Sequence, residues 1–381
     1  MYTDRDRRRC VVVGGGVIGC ATAYFLARAG LHVTMIERDA LAAHASGHNA
    51  GNLNPLYQTP AQGVPLALEA FRLHRALLAE LSRMGCASYQ LHPADRIHLA
   101  CTEAELREIR SSASCFGHAP GFSSHLLEAH QLREIEPGLA DRFIGGLKIS
   151  GNLSIDSAGF ARSLARGAER LGATIVHETV EGVLTLAHRV THVRTRVSVV
   201  PCDEVVFATG PWVACLGTWL GTALPIEAVK GELLLMRVPD GAAPRHDLHW
   251  GSTALYVRGH NQVLVGGTQQ RSGLDSSPTA EAKALLLQGA AHVLPGMRHA
   301  TLETHFAALR PVSASSLPIA ERVAQWDNVY IANGGGLKGV LLSVAIARMI
   351  HDLLLAPGAH SKHDPFPWDS QSEVSSAASL H

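Results

Sequence analysis

Residues 10–37 read CVVVGGGVIGCATAYFLARAGLHVTMIE, and this stretch decides the fold. Cys10 to Val13 form a short apolar run, as expected of a strand that is buried on both faces. The segment from Cys20 to Ala29 has apolar residues at three- and four-residue spacing and predicts a helix, which Gly30 is placed to cap. A second apolar run, from His32 to Ile36, predicts another strand. The stretch is therefore a strand–helix–strand unit with glycines at its first turn.

The glycines between the first strand and the helix match the pattern G-x-G-x-x-G. Gly14 permits a tight turn, Gly16 lets a pyrophosphate approach the backbone, and Gly19 lets the helix pack close to the strand. The helix N-terminus presents free N–H groups and a partial positive charge to phosphates. Glu37, after the second strand, can accept hydrogen bonds from both hydroxyls of a ribose. Such glycines also arise by chance in loops, but strand, glycines, helix, strand and acid in this order predict a dinucleotide site.

Length and composition narrow the class of protein. The 381 residues suit two domains, or one large domain with insertions. Lysine plus arginine and aspartate plus glutamate both number 33, so the net charge is zero and no nucleic acid partner is expected. No apolar run reaches the roughly 18 residues of a membrane span, and the scattered histidines predict no metal site. The seven cysteines lack a CxxC motif, which favours a reduced, cytoplasmic protein.

Two further segments suggest contacts with a flat ligand. Residues 42–53, AAHASGHNAGNL, are small and polar, so their backbone could approach a ligand closely; a plain surface loop is the other interpretation. Near the C-terminus, Gly334 to Gly336 and Lys338 precede a helix predicted from Gly339 to Leu355. A helix N-terminus and a lysine at this place would stabilise negative charge on a reduced flavin. A surface lysine beside a glycine turn is the alternative there.

Other motifs follow one another along the chain in a characteristic order. They are Asn152 to Asp156 before a helix predicted from Ser157 to Leu171, a strand at Gly172 to Ile175, Thr179-Val180, VVFATGPW at 205–212, KGE at 230–232, Tyr256-Val257-Arg258 with Gly266-Gly267-Thr268, and Arg310-Pro311 before Leu317-Pro318. Together with the segments above, this order resembles the D-amino-acid oxidase superfamily, in particular its glycine oxidase and sarcosine oxidase branch. The resemblance covers about residues 10 to 355. It implies an α/β fold, with a Rossmann-type FAD-binding domain and a discontinuous α+β substrate domain on a mixed or antiparallel sheet.

The resemblance implies that the dinucleotide is FAD. Covalent attachment in relatives uses a cysteine just after the arginine motif or an early histidine. Here Val312 follows Arg310-Pro311, so non-covalent FAD is expected, while His44 and His48 leave attachment open. The positions matching the family's FAD-binding motifs are Gly14, Gly16, Val17, Ile18, Gly19, Glu37, Arg38, Ser46, Asn49, Ala50, Gly51, Asn52, Val180, Thr209, Gly210, Trp212, Gly335, Gly336, Leu337, Lys338 and Gly339.

The resemblance also implies a substrate, a small amine that bears a carboxylate. In the branch concerned, an arginine of the R-P motif binds this carboxylate and a tyrosine of the hairpin assists, and these positions match Arg310 and Tyr256. A bidentate guanidinium clamp would direct the α-C–H bond at flavin N5 for hydride transfer, giving an imine that hydrolyses. Lys338 matches a position near the pyrimidine edge of the flavin and completes the predicted catalytic set.

Two departures from the branch leave specificity and electron acceptor open. Leu337 stands where glycine oxidases carry an arginine, which puts glycine as the substrate in doubt. The lysine that assists the reaction with oxygen in sarcosine oxidases has no counterpart in Val263 to Thr268. The electron acceptor is therefore either oxygen, as in an oxidase, or another acceptor, as in a dehydrogenase. The alternative function is the FAD-carrying subunit of an amine dehydrogenase of the opine, hydroxyproline or cyanide-forming glycine type. Two further hypotheses for the function are an RNA-modifying enzyme and a catalytically silent flavin-binding protein. The chain is also expected to form either a homo-oligomer or part of a dehydrogenase complex.

The predicted FAD-binding domain combines residues 1–85, 145–220 and 305–356. The predicted substrate domain combines residues 86–144 and 221–304, where short strands alternate with turns. Its sheet is expected to cover the flavin and to exclude water from the reacting face. Residues 357–381 are rich in proline, serine and alanine and predict a poorly ordered tail.

Overall fold

The computed structural model describes residues 8–113, 116, 119–259 and 261–355. The predicted tail at 357–381 lies outside the described residues. The strands are β1 (Arg9–Val13), β2 (His32–Glu37), β3 (Asn52–Leu53), β4 (Leu91–Pro93), β5 (Arg96–Ala100), β6 (Ser123–Glu128), β7 (Gly145–Ser150), β8 (Leu153–Ile155), β9 (Thr174–His177), β10 (Val180–Leu186), β11 (Arg189–Thr195), β12 (Val199–Pro201), β13 (Glu204–Phe207), β14 (Ile226–Arg237), β15 (Asp247–Trp250), β16 (Thr253–Arg258), β17 (Gln262–Gly266), β18 (Thr301–Ser313), β19 (Ile319–Arg322) and β20 (Val329–Asn333).

The helices are distributed between these strands. They are α1 (Val17–Arg28), α2 (Val64–Arg83), α3 (Glu103–Ser112), α4 (Ala129–Ile135), α5 (Ser157–Arg170), α6 (Ala214–Leu220), α7 (Ala280–Val293) and α8 (Gly339–Leu355), with short 3₁₀ turns at Ala61–Gly63, Pro295–His299 and Gly336–Lys338. The predicted first helix begins earlier than expected, at Val17. The strand predicted at Gly172 to Ile175 is shifted to Thr174–His177, while the helix at Gly339–Leu355 is confirmed.

A six-stranded sheet forms the centre of the first domain, in the order β19-β20-β13-β1-β2-β9. All neighbouring pairs are parallel except β19 with β20 at the edge. Alternate residues of β1 point to opposite faces, as the period of a strand requires. Cys10 and Val12 belong to the core shared with α1, α5 and α8, whereas Val11 and Val13 belong to the core beneath β11. This burial on both faces confirms the prediction drawn from the apolar run.

The glycine turn lies at the carboxyl end of β1, next to the point where the strand order changes direction. Open parallel sheets bind ligands at this place. Gly14 has φ +112°, and a Cβ built on it would lie 2.4 Å from the carbonyl oxygen of Ala208 after β13. Gly19 is as tightly placed, since its Cβ would lie 1.9 Å from the Gly14 oxygen. The turn therefore allows α1 and β13 to meet at the backbone of β1.

The second domain is built on an eight-stranded sheet in the order β18-β14-β17-β16-β15-β5-β7-β6. Its pairs are antiparallel apart from β5 with β15, so the sheet is mixed, as predicted. One face packs on α7 through an apolar core that includes Ile97, Leu248 and Leu255. The neighbouring residues of these strands, among them Arg96 and Tyr256, belong to the opposite face, which is turned towards the glycine turn.

Two of the predicted domain boundaries differ from those that the sheet topology indicates. Residues 145–150 were expected in the FAD-binding domain, but β7 pairs with β5 and β6 in the eight-stranded sheet. Residues 305–313 were expected there too, yet β18 pairs with β14 over its whole length. Both strands are continuous with the second sheet because their hydrogen-bond partners lie in it. Within the described residues, no helix is long and apolar enough to span a membrane.

Candidate active site

A cavity of about 880 Å³ lies between the glycine turn and the second sheet. Nearly all of the predicted site residues line it, although they come from distant parts of the chain. The exception is Gly19, which packs on Gly14 beneath the turn, as its predicted role requires. The lining residues among the predictions are Gly14, Gly16, Val17, Ile18, Glu37, Arg38, Ser46, Asn49, Ala50, Gly51, Asn52, Val180, Thr209, Gly210, Trp212, Tyr256, Arg310, Gly335, Gly336, Leu337, Lys338 and Gly339.

One end of the cavity is formed by the glycine turn and Glu37. The Glu37 carboxylate accepts hydrogen bonds from the Gly15 N–H at 2.6 Å and from the Asp39 N–H at 2.8 Å. Its position is thus fixed beside the helix N-terminus. Ser46 Oγ accepts from the Val17 N–H at 2.9 Å, in the first turn of α1. A ribose and a pyrophosphate would meet an acid and a helix N-terminus in the order that the sequence predicts.

Aromatic and polar groups extend this end of the cavity. The Arg38 guanidinium lies 4.2 Å from the centroid of the Trp212 ring, and the His44 ring contacts the same indole with 4.6 Å between ring centroids and an interplanar angle of 59°. Among the described residues, the buried hydroxyl of Thr209 has no hydrogen-bond partner. An unsatisfied buried hydroxyl is costly unless a ligand or water completes it. A nucleotide in the cavity would supply that partner.

The loop at 42–53 forms one long wall. The Asn49 side-chain amide donates to the carbonyls of Ala45 and Ser46 and to Ser157 Oγ, at 2.8–2.9 Å. Its oxygen accepts from the Gly51 N–H at 2.7 Å. Asn49 therefore holds the loop in shape, so its side chain is engaged within the protein although it lines the cavity.

The far end of the cavity contains Arg310 and Tyr256. Arg310 Nη1 donates to the Thr268 carbonyl at 3.3 Å, and burial lowers the pKa of the guanidinium, which nevertheless stays charged. Gly231 makes the space for this side chain, because a Cβ at that position would lie 2.0 Å from Arg310 Nη2. The conformation of Arg310 is thus set by a carbonyl and by a neighbouring strand that has no side chain at this point.

Lys338 lies in the 3₁₀ turn before α8. Its Nζ donates to the carbonyl of Asn54 at 2.6 Å. Burial lowers the pKa of Lys338 to about 7, and the positive charge of Arg96 adds to the effect. Leu337, its neighbour, is 54% exposed and lines the cavity where the resemblance would place an arginine.

Several residues at this end of the cavity are not marked by any sequence motif. Arg96, Tyr57 and His249 line the cavity, and His98 packs against the Tyr57 ring at 4.3 Å. Burial lowers the pKa of His98 to about 2 and that of His249 to about 3, with smaller contributions from neighbouring positive charge. Strand register decides which residues of β5 and β15 face the cavity. No local sequence motif indicates this register.

A family model described as FAD dependent oxidoreductase matches residues 9–353. The chain belongs to this family. A glycine oxidase of Pseudomonas aeruginosa is 32% identical over 368 residues, which covers 94% of this chain and 98% of that protein. A D-amino acid dehydrogenase of Xanthobacter autotrophicus is 28% identical, over 91% of this chain and 95% of that protein. The crystal structure of glycine oxidase from Geobacillus kaustophilus superimposes with a TM-score of 0.84 at 26% identity, over 94% of this chain and all of that one.

Membership of the FAD-dependent oxidoreductase family confirms the predicted cofactor, fold class and enzyme class, an FAD-dependent amino acid or amine oxidoreductase. The site's own residues fit FAD. The turn at Gly14 and Gly19 has no room for side chains, Glu37 stands at the adenosine end, and Thr209 has an unused hydroxyl. The cavity continues from there to Lys338 and Arg310, so that a long, two-part cofactor can reach the second sheet.

Proposed function

We propose that this protein oxidises the C–N bond of a small amine bearing a carboxylate, and that Arg310 binds the carboxylate. The observation that supports it is the partly buried guanidinium of Arg310, which lines the cavity from β18 of the second sheet. Among the described residues, the guanidinium donates one hydrogen bond, to the Thr268 carbonyl. The remaining N–H groups form the planar fork that suits a carboxylate.

The chain's own residues position the substrate. Tyr256 lies on the same face of the sheet as Arg310, on β16, and offers a hydroxyl as a second donor for the carboxylate. With the carboxylate fixed by these two groups, the α-carbon is held at one place and orientation. FAD, when bound, would supply the acceptor for the hydride that leaves the α-carbon, while the lone pair of the amine nitrogen forms the C=N bond. The resulting imine takes up water and releases an amine and an oxo acid.

Lys338 is proposed to act at the cofactor rather than at the substrate. Its ammonium group lies near the start of α8, where the helix N-terminus also carries partial positive charge. Both would stabilise negative charge that develops on the cofactor when it accepts electrons. A lysine whose pKa is near 7 exists in both charge states near neutral pH, so this stabilisation would weaken as the pH rises.

The electron acceptor of this chain has two candidates. The relatives include a glycine oxidase and a D-amino acid dehydrogenase, which differ in the acceptor that their names imply. Oxygen is one candidate acceptor of this chain, and a quinone, a carrier or a partner subunit is the other. A cytoplasmic location of this protein stays a proposal.

The test is anaerobic bleaching of the purified yellow protein near 450 nm. Glycine, sarcosine, D-amino acids, proline analogues and opines are added in turn, and air is then admitted. Bleaching by one class of carboxylated amine with rapid return of colour supports the proposal and an oxidase. Bleaching without return supports a dehydrogenase with another acceptor. If the protein contains FAD but no carboxylated amine bleaches it, the proposal is contradicted.

The unusual lysine can be tested through the pH dependence of stability. The pKa of Lys338 is about 7 in the folded chain and ordinarily about 10.4 in an unfolded one. Between these values the unfolded state holds a proton that the folded state has lost, so raising the pH favours folding. In the FAD-free protein, the Tm of wild type should therefore rise relative to that of Lys338→Met between pH 7 and pH 10.

A matched control is available on α7, where Lys283 is exposed. The Tm difference between wild type and Lys283→Met is expected to stay constant across the same pH range. A flat difference for Lys338→Met as well would show that the lysine keeps an ordinary pKa in the folded protein.

A further inference from the structure

Arg96 is a buried cation at the cavity that the proposed function does not use. It is the first residue of β5, only 4% exposed, and it lines the cavity. Within the described residues its side chain forms no hydrogen bond and no ion pair, and its Nε is a buried donor without an acceptor. Its guanidinium lies 5.7 Å from the ring centroids of both Tyr57 and Tyr256. Cationic groups that are buried in this way normally have a partner.

The nearest carboxylate is engaged elsewhere. Asp247 is paired with Arg96 by strand register. Its Oδ1 accepts from the Val257 N–H at 2.8 Å, and its Oδ2 faces the Asn52 amide at 3.4 Å. Burial raises the pKa of Asp247, and the charge of Arg96 is the first influence that opposes this rise. Asp247 therefore offsets part of the charge of Arg96, but its oxygens accept from Val257 and Asn52 and not from the guanidinium.

The charges that line the cavity are unevenly distributed. The acidic residues among them are Glu37 and Glu178, and both lie at the glycine-turn end, where β2 pairs with β9. The other end has Arg96, Arg310 and Lys338. A substrate with one carboxylate that binds Arg310 would leave the guanidinium of Arg96 without a hydrogen-bond acceptor.

The walls around Arg96 cannot supply that anion. The His249 and His98 rings lie 5.3 Å apart, and each is in contact with the Tyr57 ring. Both imidazoles stay neutral in the folded protein because burial and the arginine oppose their protonation. Arg96 thus stands at the edge of a pocket of neutral rings, beside Tyr256, with its positive charge available to a ligand.

We propose that Arg96 binds a second carboxylate of the substrate, so that the preferred substrate is an amine with two carboxylates. This inference rests on the proposed function and names the substrate class of the same site. Arg310 would hold the carboxylate next to the reacting carbon, and Arg96 the distal one. The distal group is either on the nitrogen substituent, as in an iminodicarboxylate, or on the α-side chain, as in an acidic amino acid.

The experiment compares carboxylates with carboxamides of the same shape. Iminodiacetate is paired with its monoamide, and each enantiomer of aspartate with the corresponding asparagine. kcat/KM for anaerobic bleaching is measured for wild type, Arg96→Met, which keeps an unbranched apolar stem without the charge, and Arg96→Lys, which keeps the charge. Arg107→Met, an exposed arginine of α3, is the matched control. FAD content and Tm show whether each variant is folded.

Wild type and Arg107→Met are expected to prefer one of the dicarboxylates over its amide by roughly 10- to 100-fold, since a charged hydrogen-bonded pair contributes that much. In Arg96→Met the ratio should fall to about 1, with Arg96→Lys between. The pair that shows the effect identifies the position of the distal carboxylate. Equal kcat/KM for acid and amide in wild type, or an unchanged preference in folded Arg96→Met, would overturn the proposal.

A binding measurement separates this inference from the proposed reaction. Diglycolate has an ether oxygen in place of the amine and cannot be oxidised in this way. Its monoamide, which keeps one carboxylate and replaces the other with an uncharged amide, is the reference. Their Kd values are obtained from changes in the visible spectrum of the oxidised holoenzyme. Tighter binding of diglycolate that depends on Arg96 supports the anion site even if no amine bleaches the protein. Equal Kd values for diglycolate and its monoamide would contradict the proposed anion site at Arg96.

Discussion

An Arg310→Met variant is expected to fold and to bind FAD but to lose on the order of 10³-fold in kcat/KM for the carboxylated amine. Methionine fills much of the space and cannot pair with a carboxylate. Removing one partner of a buried ion pair costs about 3–5 kcal/mol, since the other charge is left without compensation. Steady-state kinetics, with FAD content and Tm as measures of folding, checks this expectation. A folded variant that keeps kcat/KM within about threefold would rule out the clamp.

Gly231→Ala gives a second test of the same side chain without removing it. The new methyl group would lie 2.0–2.2 Å from the Arg310 guanidinium, which is the mobile end of a long side chain and can shift. The fold should therefore be kept while the clamp is displaced, and KM should rise more than kcat falls. Gly259→Ala, on the hairpin between β16 and β17, meets no atom within 4 Å and should leave the kinetics unchanged.

The parts of this protein that were predictable are those in which chemistry is local in sequence. The turn from Gly14 to Gly19 follows from the spacing of glycines, because backbone conformation and close packing at these positions admit no side chain. Arg310 and Lys338 lie in short motifs next to glycines and prolines, and the structure places them in one cavity. Their catalytic roles stay predictions until the variants are measured.

The parts that were not predictable depend on pairing between distant strands. Arg96 reaches the cavity because β5 pairs in parallel with β15 and in register with Asp247. A shift of one residue would turn Ile97 to the cavity and bury Arg96 in the opposite core. The same reason explains the misplaced boundaries at 145 and 305, where β7 and β18 complete the second sheet by pairing with strands that are distant in sequence.

A Gly14→Ala variant is expected to lose FAD and to be destabilised by about 3 kcal/mol. Backbone strain and a steric clash both contribute to this loss of stability. Any side chain at φ +112° strains the backbone, and this costs about 1–2 kcal/mol. The Cβ at Gly14 would also lie 2.4 Å from the Ala208 carbonyl, a backbone atom that can move only with β13. Overpacking of this kind costs roughly 1–3 kcal/mol more. Urea unfolding and FAD content measure both consequences.

Gly30→Ala is the matched control, since Gly30 also has positive φ, +85°, but a Cβ there meets no atom within 4 Å. It should cost only the backbone strain, about 1–2 kcal/mol, and leave FAD content unchanged. If both variants lose the same stability and both keep FAD, strain alone governs these positions and the contact between Gly14 and Ala208 is not limiting. If Gly14→Ala alone loses FAD, the close approach of β1 to β13 is what shapes the cofactor site, because the two variants share their backbone penalty.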